Sequence, residues 1–576
     1  MSRQRMNRTP CRHLRLDLAA VLPVFVLAWA LSACGRQTAT RVESDEFCYN
    51  EPGGIASLDP AQASYQAAWW AGMQLFNGLV EFDSALHIVP ALARTWSVDH
   101  SLRRWRFVLR SDVWFHADSC FGERRTRRCT AEDVRYSIER ILDARTRSPG
   151  LWVFLDRIVG ARQYHQATKQ GKLDQHCAGI HVLSDTVIEF ELTKPFGPFL
   201  ALLAMPYAWV VPREAVEYYG DRFGAHPVGT GPFRFGWWFV DREMVFERND
   251  HYWRLDENGQ RLPYLRHVRI RFIRDQRTEF AEFRRRSFSL LNGLDPAFAA
   301  VVLTPDGKLS PVYQKRFRLL AAPALSTEYY GILLDTTLEG AQASPLARSR
   351  ALRQALNYAI DRERIIRYVL HGTALPARGV LPPSLAEDQQ PCYAYDPDRA
   401  RRLLAEAGYP DGRGLPILRL FLSTASRTLS VAEAVQQQWA EIGVRVELQQ
   451  VEFPRLLAVV RNGELALWRT SWIADYPDPE NFLALFVSSN TAPRGPNTTR
   501  YRNRLLDRLY AEATARMADS VQRRYWAQIE RIVVGDAPWV FLYHGRIVRL
   551  VHPFVEGLTV DPLDRLVLER VRLRLH

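Results

Sequence analysis

The stretch from Asp396 to Leu448 constrains the fold most. Asp396 can cap a helix that begins at Pro397, Ala400, Leu403, Leu404 and Ala407 form one apolar face, and Gly408 ends it. A strand near Ile417 to Leu422 follows, then a helix near Val431 to Ile442 closed by Gly443, then a strand with Val444, Val446 and Leu448 on one face. Strand, helix and strand in that order make a crossover, which requires a parallel pair. Upstream, Leu352, Ala355, Leu356, Ala359 and Ile360 keep helical register, and Asp361 opens a second helix that Gly372 terminates. Trp105, Phe107 and Leu109 alternate with arginines, the period of a strand with one buried face, and Val187 to Leu192 reads as another. Thr130 caps a helix with Asp133 three residues on and Val134, Ile138, Ile141 and Leu142 as its apolar stripe. The expected class is α/β.

The N-terminus carries a different signal. Arg3, Arg5, Arg8, Arg12 and Arg15 precede the 14-residue apolar run Leu18 to Leu31 and the small residues Ser32 and Ala33. A membrane span needs about 20 apolar residues, so residues 1–33 read as a secretory signal peptide. Leu31-Ser32-Ala33-Cys34 resembles the bacterial lipobox, which implies a lipidated Cys34, an extracytoplasmic location and attachment to a membrane through that lipid. Cys48, Cys120, Cys129, Cys177 and Cys392 then lie in an oxidising compartment. Cys120 and Cys129 bracket a highly charged loop and are the candidates for a disulfide, which could contribute roughly 2 to 3 kcal/mol.

At 576 residues, with 47% apolar and 24% charged residues, the chain can fill several cores, and two to four domains are expected. The formal charge of +13 comes from 76 Lys and Arg, of which only five are lysines, against 63 Asp and Glu. These basic residues are spread along the chain among acids, whereas a nucleic-acid binder gathers them into a stripe or arm. No nucleic-acid partner is expected.

Catalytic motifs are scarce. No two of the 14 histidines stand three or four apart, which removes HExxH. His176, Cys177 and His181 come nearest to a metal cluster, yet they read better as a surface loop, because a closed site needs three or four ligands. GxSxG and SxxK are absent. Gly229-Thr230-Gly231-Pro232 lacks both the dinucleotide and the P-loop spacing and reads as a tight turn. Asp475 and Asp478 could in principle serve a glycosidase as paired carboxylates. No catalytic residue, metal or cofactor is assigned.

Several blocks in order resemble a known family: Ser57-Leu58-Asp59-Pro60, Asn77-Gly78-Leu79-Val80, Val89 to Ala93 with Trp96, Phe107 to Arg110 with Phe115-His116, Thr130 to Val134, Pro227 to Phe233, Asn249 with Tyr252-Trp253, Arg353 to Arg362, and Trp472 to Pro479. Together they resemble the family 5 extracytoplasmic solute-binding proteins, the group with the oligopeptide- and dipeptide-binding components of ABC importers. The loop between Cys120 and Cys129 departs from the pattern.

The resemblance implies a two-lobed periplasmic-binding-protein fold, cluster C-like and type II, with an additional inserted domain. Residues 34–45 would form a tether, 46–80, 205–325 and 544–576 lobe I, 81–204 the inserted domain II, and 326–543 lobe III. It further implies a monomer that is not an enzyme, closing on a peptide or other small solute and delivering it to an ABC importer permease and ATPase complex. Other members take nickel complexes, glycosides or cell-wall peptides; a lipoprotein hydrolase and a signalling or folding-helper lipoprotein are the readings from other classes. By residue, Asp475 matches the aspartate that pairs with a peptide's α-ammonium, and Arg469 an arginine that meets the carboxylate of short peptides. Trp472 would wall the cleft, and Tyr49 and Asn50 would offer backbone bonds to an extended peptide. The plainer roles for Asp475 and Arg469 are a turn cap before Pro477 and an ordinary surface arginine.

Overall fold

The computed structural model describes residues 45–574 apart from 173, 295 and 387–392; the expected signal peptide, Cys34 and the tether as far as residue 44 lie outside the described residues, as does Cys392. The arginine-alternating strand is Arg104–Leu109, with Trp105 and Phe107 fully buried. It sits inside a four-stranded antiparallel sheet, between Ala93–Val98 and Val187–Glu191, with Ile180–Ser184 at the edge. The helix Ala131–Leu142 buries Val134, Ile138, Ile141 and Leu142 in the same core. The Thr130 amide donates to the Asp133 carboxylate at 2.8 Å, closing the first turn as a capping box does.

The expected Cys120–Cys129 disulfide is not formed; both are free thiols. The loop is held by other means. Arg127 makes bidentate bonds to Asp133 at 2.6 and 2.8 Å and to Glu214 at 2.6 Å. Backbone bonds from Phe115 to Arg127 and from Cys129 to Val113 close its base. Charge-assisted forks of this kind fix geometry as a crosslink would, with Cys129 buried beneath them. The turn Gly229–Pro232 packs its backbone directly on the Leu75 carbonyl, leaving no room for a Cβ at Gly229 or Gly231.

A second sheet has the order Glu46–Asn50, His267–Arg271, Glu243–Arg248, Phe233–Phe239, the first pair parallel and the others antiparallel. The third has seven strands and contains the crossover. Leu418–Leu422 and Val446–Gln450 pair in parallel, Leu418 opposite Val446, with the helix Ser426–Ala440 between them. That helix starts five residues before Val431, a turn that apolar spacing does not reveal because Ser426, Arg427, Thr428 and Ser430 are polar. Asp396 caps Pro397–Glu406 by accepting from the Arg399 amide at 2.8 Å, and Gly408 leaves it at φ +91°.

Two long antiparallel strands, Arg318–Ile332 and Trp539–Val551, tie the cores together. Val540 and Leu542 lie in one apolar core and Val548 and Leu550 in another, and the register slips between Pro323 and Thr327. Bulges bend strands, so the slip sits where these strands pass between cores. The segment around Gly197 also meets the helix Arg504–Thr514: the Gly197 amide donates to the Thr514 carbonyl at 3.0 Å, and a Cβ there would collide with the Arg516 carbonyl. Gly197→Val is therefore expected to push these segments apart. Solution scattering should give a larger radius of gyration than wild type; identical curves would show that the contact tolerates a side chain.

Candidate functional site

The strand Leu467–Ile473 delivers the site. It runs antiparallel to Arg318–Ile332, with Trp472 opposite Thr327 and Arg469 opposite Tyr330. Just past its end, the Ala474 amide donates to the Leu325 carbonyl at 2.8 Å, which fixes where Asp475 emerges.

Asp475 is half-buried, and its neighbour Asn481 is buried in the short helix Pro479–Leu483. The Asp475 amide donates to Asn481 Oδ1 at 3.2 Å, Asn481 Nδ2 donates weakly back to the carboxylate at 3.4 Å, and Trp472 Nε1 donates to the same Oδ1 at 2.9 Å. One buried amide thus orients both Trp472 and Asp475. The turn-capping role falls to Asp478, which accepts from the Glu480 amide at 2.8 Å. Asp475 caps nothing and pairs with no cation among the described residues. Burial pushes its carboxyl up to about 6, Asn481 opposing and Glu480 adding. Tyr207 feels the charge: its hydroxyl is raised to about 12, first by burial and then by Asp475. Glu480 is held between the hydroxyls of Tyr476 and Tyr510.

Arg469 is not a free surface cation. Its guanidinium pairs with Glu328 on the neighbouring strand, and both are half-buried. Arg427 lies 5.8 Å from the Tyr543 ring centroid beside them. Burial raises the Glu328 carboxyl while Arg469 and Arg427 pull it back. The group holds two guanidiniums against one carboxylate, so one positive charge is left over.

Tyr49 and Asn50 lie elsewhere, at the end of the strand Glu46–Asn50. Tyr49 is buried against Trp70, ring centroids 6.0 Å apart. The Asn50 side chain donates to the Ile273 carbonyl at 2.9 Å, accepts from its amide at 2.8 Å and also bonds the Glu279 carboxylate. The edge of this strand away from His267–Arg271 is met at Cys48 by Ser289. Glu328, Arg427, Asn481 and Tyr207 were missed in the sequence; the one available signal was Glu328, the sole carboxylate in the strand Arg318–Ile332. Among the described residues no group of three His, Cys, Asp or Glu could hold a metal, and no helix is long and apolar enough to cross a membrane. His176 and Cys177 instead bind Glu139, at 3.0 and 2.8 Å.

Comparison with known proteins fits this geometry. The model for bacterial extracellular solute-binding proteins, family 5 Middle, matches residues 87–494. The dipeptide-binding protein of Escherichia coli (strain K12) is 26% identical over 95% of this chain and 98% of its own. Heme-binding protein A of Haemophilus influenzae is 28% identical over 95% and 97%. Among solved structures, the unliganded open form of the periplasmic murein tripeptide-binding protein aligns with a TM-score of 0.75 at 25% identity, covering 93% of this chain and 98% of that one. The periplasmic binding protein DppA from Helicobacter pylori, in complex with the peptide STSA, aligns with a TM-score of 0.71 at 24% identity over 92% and 98%. These neighbours share the two-lobed type II fold with an additional domain, and the chain belongs to the family 5 bacterial extracellular solute-binding proteins.

Proposed function

We propose that the protein is a lipid-anchored extracytoplasmic receptor that captures peptides and hands them to an ABC importer permease and its ATPase. Residues 46–80, 205–325 and 544–576 form one lobe and 326–543 the other, with 81–204 inserted; Cys34 carries the lipid, and the receptor works as a monomer without catalysis. Closure is a shift of population toward the state whose two walls both touch the ligand.

The observation that carries this reading is Asp475: a half-buried carboxylate with no cation, held by Asn481 and not used as a cap. A desolvated carboxylate is poised for a fixed cation, and a peptide α-ammonium, charged below about pH 8, supplies one. Trp472 lies beside it as a wall. The surplus positive charge of Arg469 and Arg427 over Glu328 suits the peptide carboxylate. Tyr49 and Asn50 supply backbone bonds to an extended peptide, the Asn50 side chain being held by Ile273.

The test is chemical: purify the mature protein from its native host, denature it and identify the released small molecules by mass spectrometry. Peptides of mixed sequence and narrow length are expected. A single non-peptide ligand, such as haem, glutathione, a glycoside or a nickel complex, would keep the receptor and overturn the ammonium assignment.

Affinity should also depend on pH. In the free protein Asp475 titrates near 6, and binding an ammonium lowers that value. Peptide affinity is then greatest near pH 7, where the carboxylate is ionised and the ammonium still charged, and falls by up to about tenfold per unit as pH drops below 6. Calorimetry across pH 4.5 to 8 reads it; a flat profile would remove Asp475 from the contact.

A further inference from the structure

A cavity of about 380 Å³ opens between the loop that follows the helix Ala131–Leu142 and the end of the helix Ala161–Lys169. Ala144, Arg145, Arg147 and Lys169 line it, and it shares no residue with the Asp475 site. The loop is pinned on both sides. The Ala144 amide donates to Thr168 Oγ1 at 3.1 Å, and the Thr146 amide to the Asp143 carbonyl at 3.1 Å. Gln62 Nε2 donates to the Thr146 carbonyl at 2.8 Å, and Ser148 Oγ to the Ala61 carbonyl at 2.6 Å. Arg147 stands between these last two anchors at φ +50°, a left-handed conformation uncommon for a residue with a Cβ, and it is exposed.

The charges around this cavity do not balance. Asp143 is committed to Arg145, accepting from its Nε at 3.1 Å and from its Nη2 at 2.5 Å, which leaves Arg145 Nη1 for another acceptor. The Arg147 and Lys169 side chains make no hydrogen bond or ion pair among the described residues. The helix end does not supply the missing acceptors: the carbonyls of Ala167 and Thr168 are engaged by the amides of Gln170, Lys172 and Gly171, at 3.0, 3.0 and 3.1 Å. Two positive charges and a spare guanidinium N–H therefore face one hollow whose backbone is fixed in advance.

We propose that this cavity binds a phosphate group. Two guanidiniums and an ammonium place donors around a tetrahedral anion with several acceptor oxygens, each guanidinium giving a planar edge and the ammonium a point charge. A carboxylate has two oxygens in one plane and leaves one of the three cations unmet. The volume has room for an organic substituent on the phosphate, as in the headgroup of an anionic phospholipid; free inorganic phosphate offers the same chemistry. The proposal is independent of what occupies the Asp475 site.

The test is calorimetry on the full chain at fixed ionic strength, which holds screening constant. The probes are inorganic phosphate, glycerophosphoglycerol as a deacylated lipid headgroup, and acetate as the carboxylate control. Phosphate or headgroup should bind at least about tenfold tighter than acetate. Arg147→Gln and, separately, Lys169→Gln should each weaken that binding at least about tenfold, with thermal melting at the wild-type temperature because both side chains are exposed. Tighter binding of the headgroup assigns the site to a membrane surface, and tighter binding of inorganic phosphate to a soluble ligand. Binding of neither, acetate binding equally well, or binding that both variants keep would overturn the site.

Discussion

Asp475→Asn lowers affinity for a peptide with a free N-terminus by at least about a hundredfold, the equivalent of about 3 kcal/mol. The reason lies in what the substitution leaves behind. The amide keeps the shape of the carboxylate and can still bond to Asn481, so Trp472 and the turn into Pro477 stay in place. The incoming ammonium, in contrast, is stripped of water and meets a neutral group, and an uncompensated charge in a closed cleft is the costly case. Folding should not suffer. Asp475 pairs with no cation among the described residues, and burial already disfavours its charge, so the variant melts at or slightly above the wild-type temperature. Calorimetry and a thermal melt on the same sample separate the two effects: lost binding with intact melting supports the contact, and full affinity removes it.

Arg549→Met has the opposite profile, damaging the fold itself. Arg549 is fully buried and joins the strand Trp539–Val551 to Asn292, to the backbone of Asp564 and Arg565, and to the face of Trp70. Removing one partner of a buried ion pair costs about 3–5 kcal/mol, because the other charge stays behind. Here the carboxylate left behind is Asp564, whose charge burial disfavours and Arg549 supports. Urea unfolding should show the main transition moved to distinctly lower denaturant. The double variant Arg549→Met with Asp564→Asn should recover part of the loss, because the two groups form one ion pair and do not add independently. Recovery of nothing would mean that the Asp564 charge does not depend on Arg549.

Legibility of the sequence followed the range of the interactions. The helix Pro397–Glu406 could be read from Asp396, Pro397 and Gly408 because its capping partners lie within a few residues. The parallel crossover could be read from apolar spacing alone, except the first turn of its helix, where Ser426 to Ser430 look like loop. The Arg127 clamp could not, since Glu214 lies 87 residues away and the cysteines drew attention to a crosslink that is not there. In the candidate site, Asp475 and Arg469 were visible only through the family pattern. What makes Asp475 distinctive, the capping duty passing to Asp478 and the grip of Asn481, is a matter of geometry. The pairing of Arg469 with Glu328 spans 141 residues, and that of Gln66 with Asp564 spans 498. Spacing carries no trace of such convergence.

The proposed contact is between Asp475 and a peptide's α-ammonium. Its most direct measurement is calorimetric titration of the wild-type protein with one tripeptide bearing a free N-terminus and with the same tripeptide N-acetylated. Measurable binding of the first is expected, and a loss of at least about a hundredfold for the second, since acetylation removes the charge that Asp475 awaits. Equal affinity for the two would contradict it.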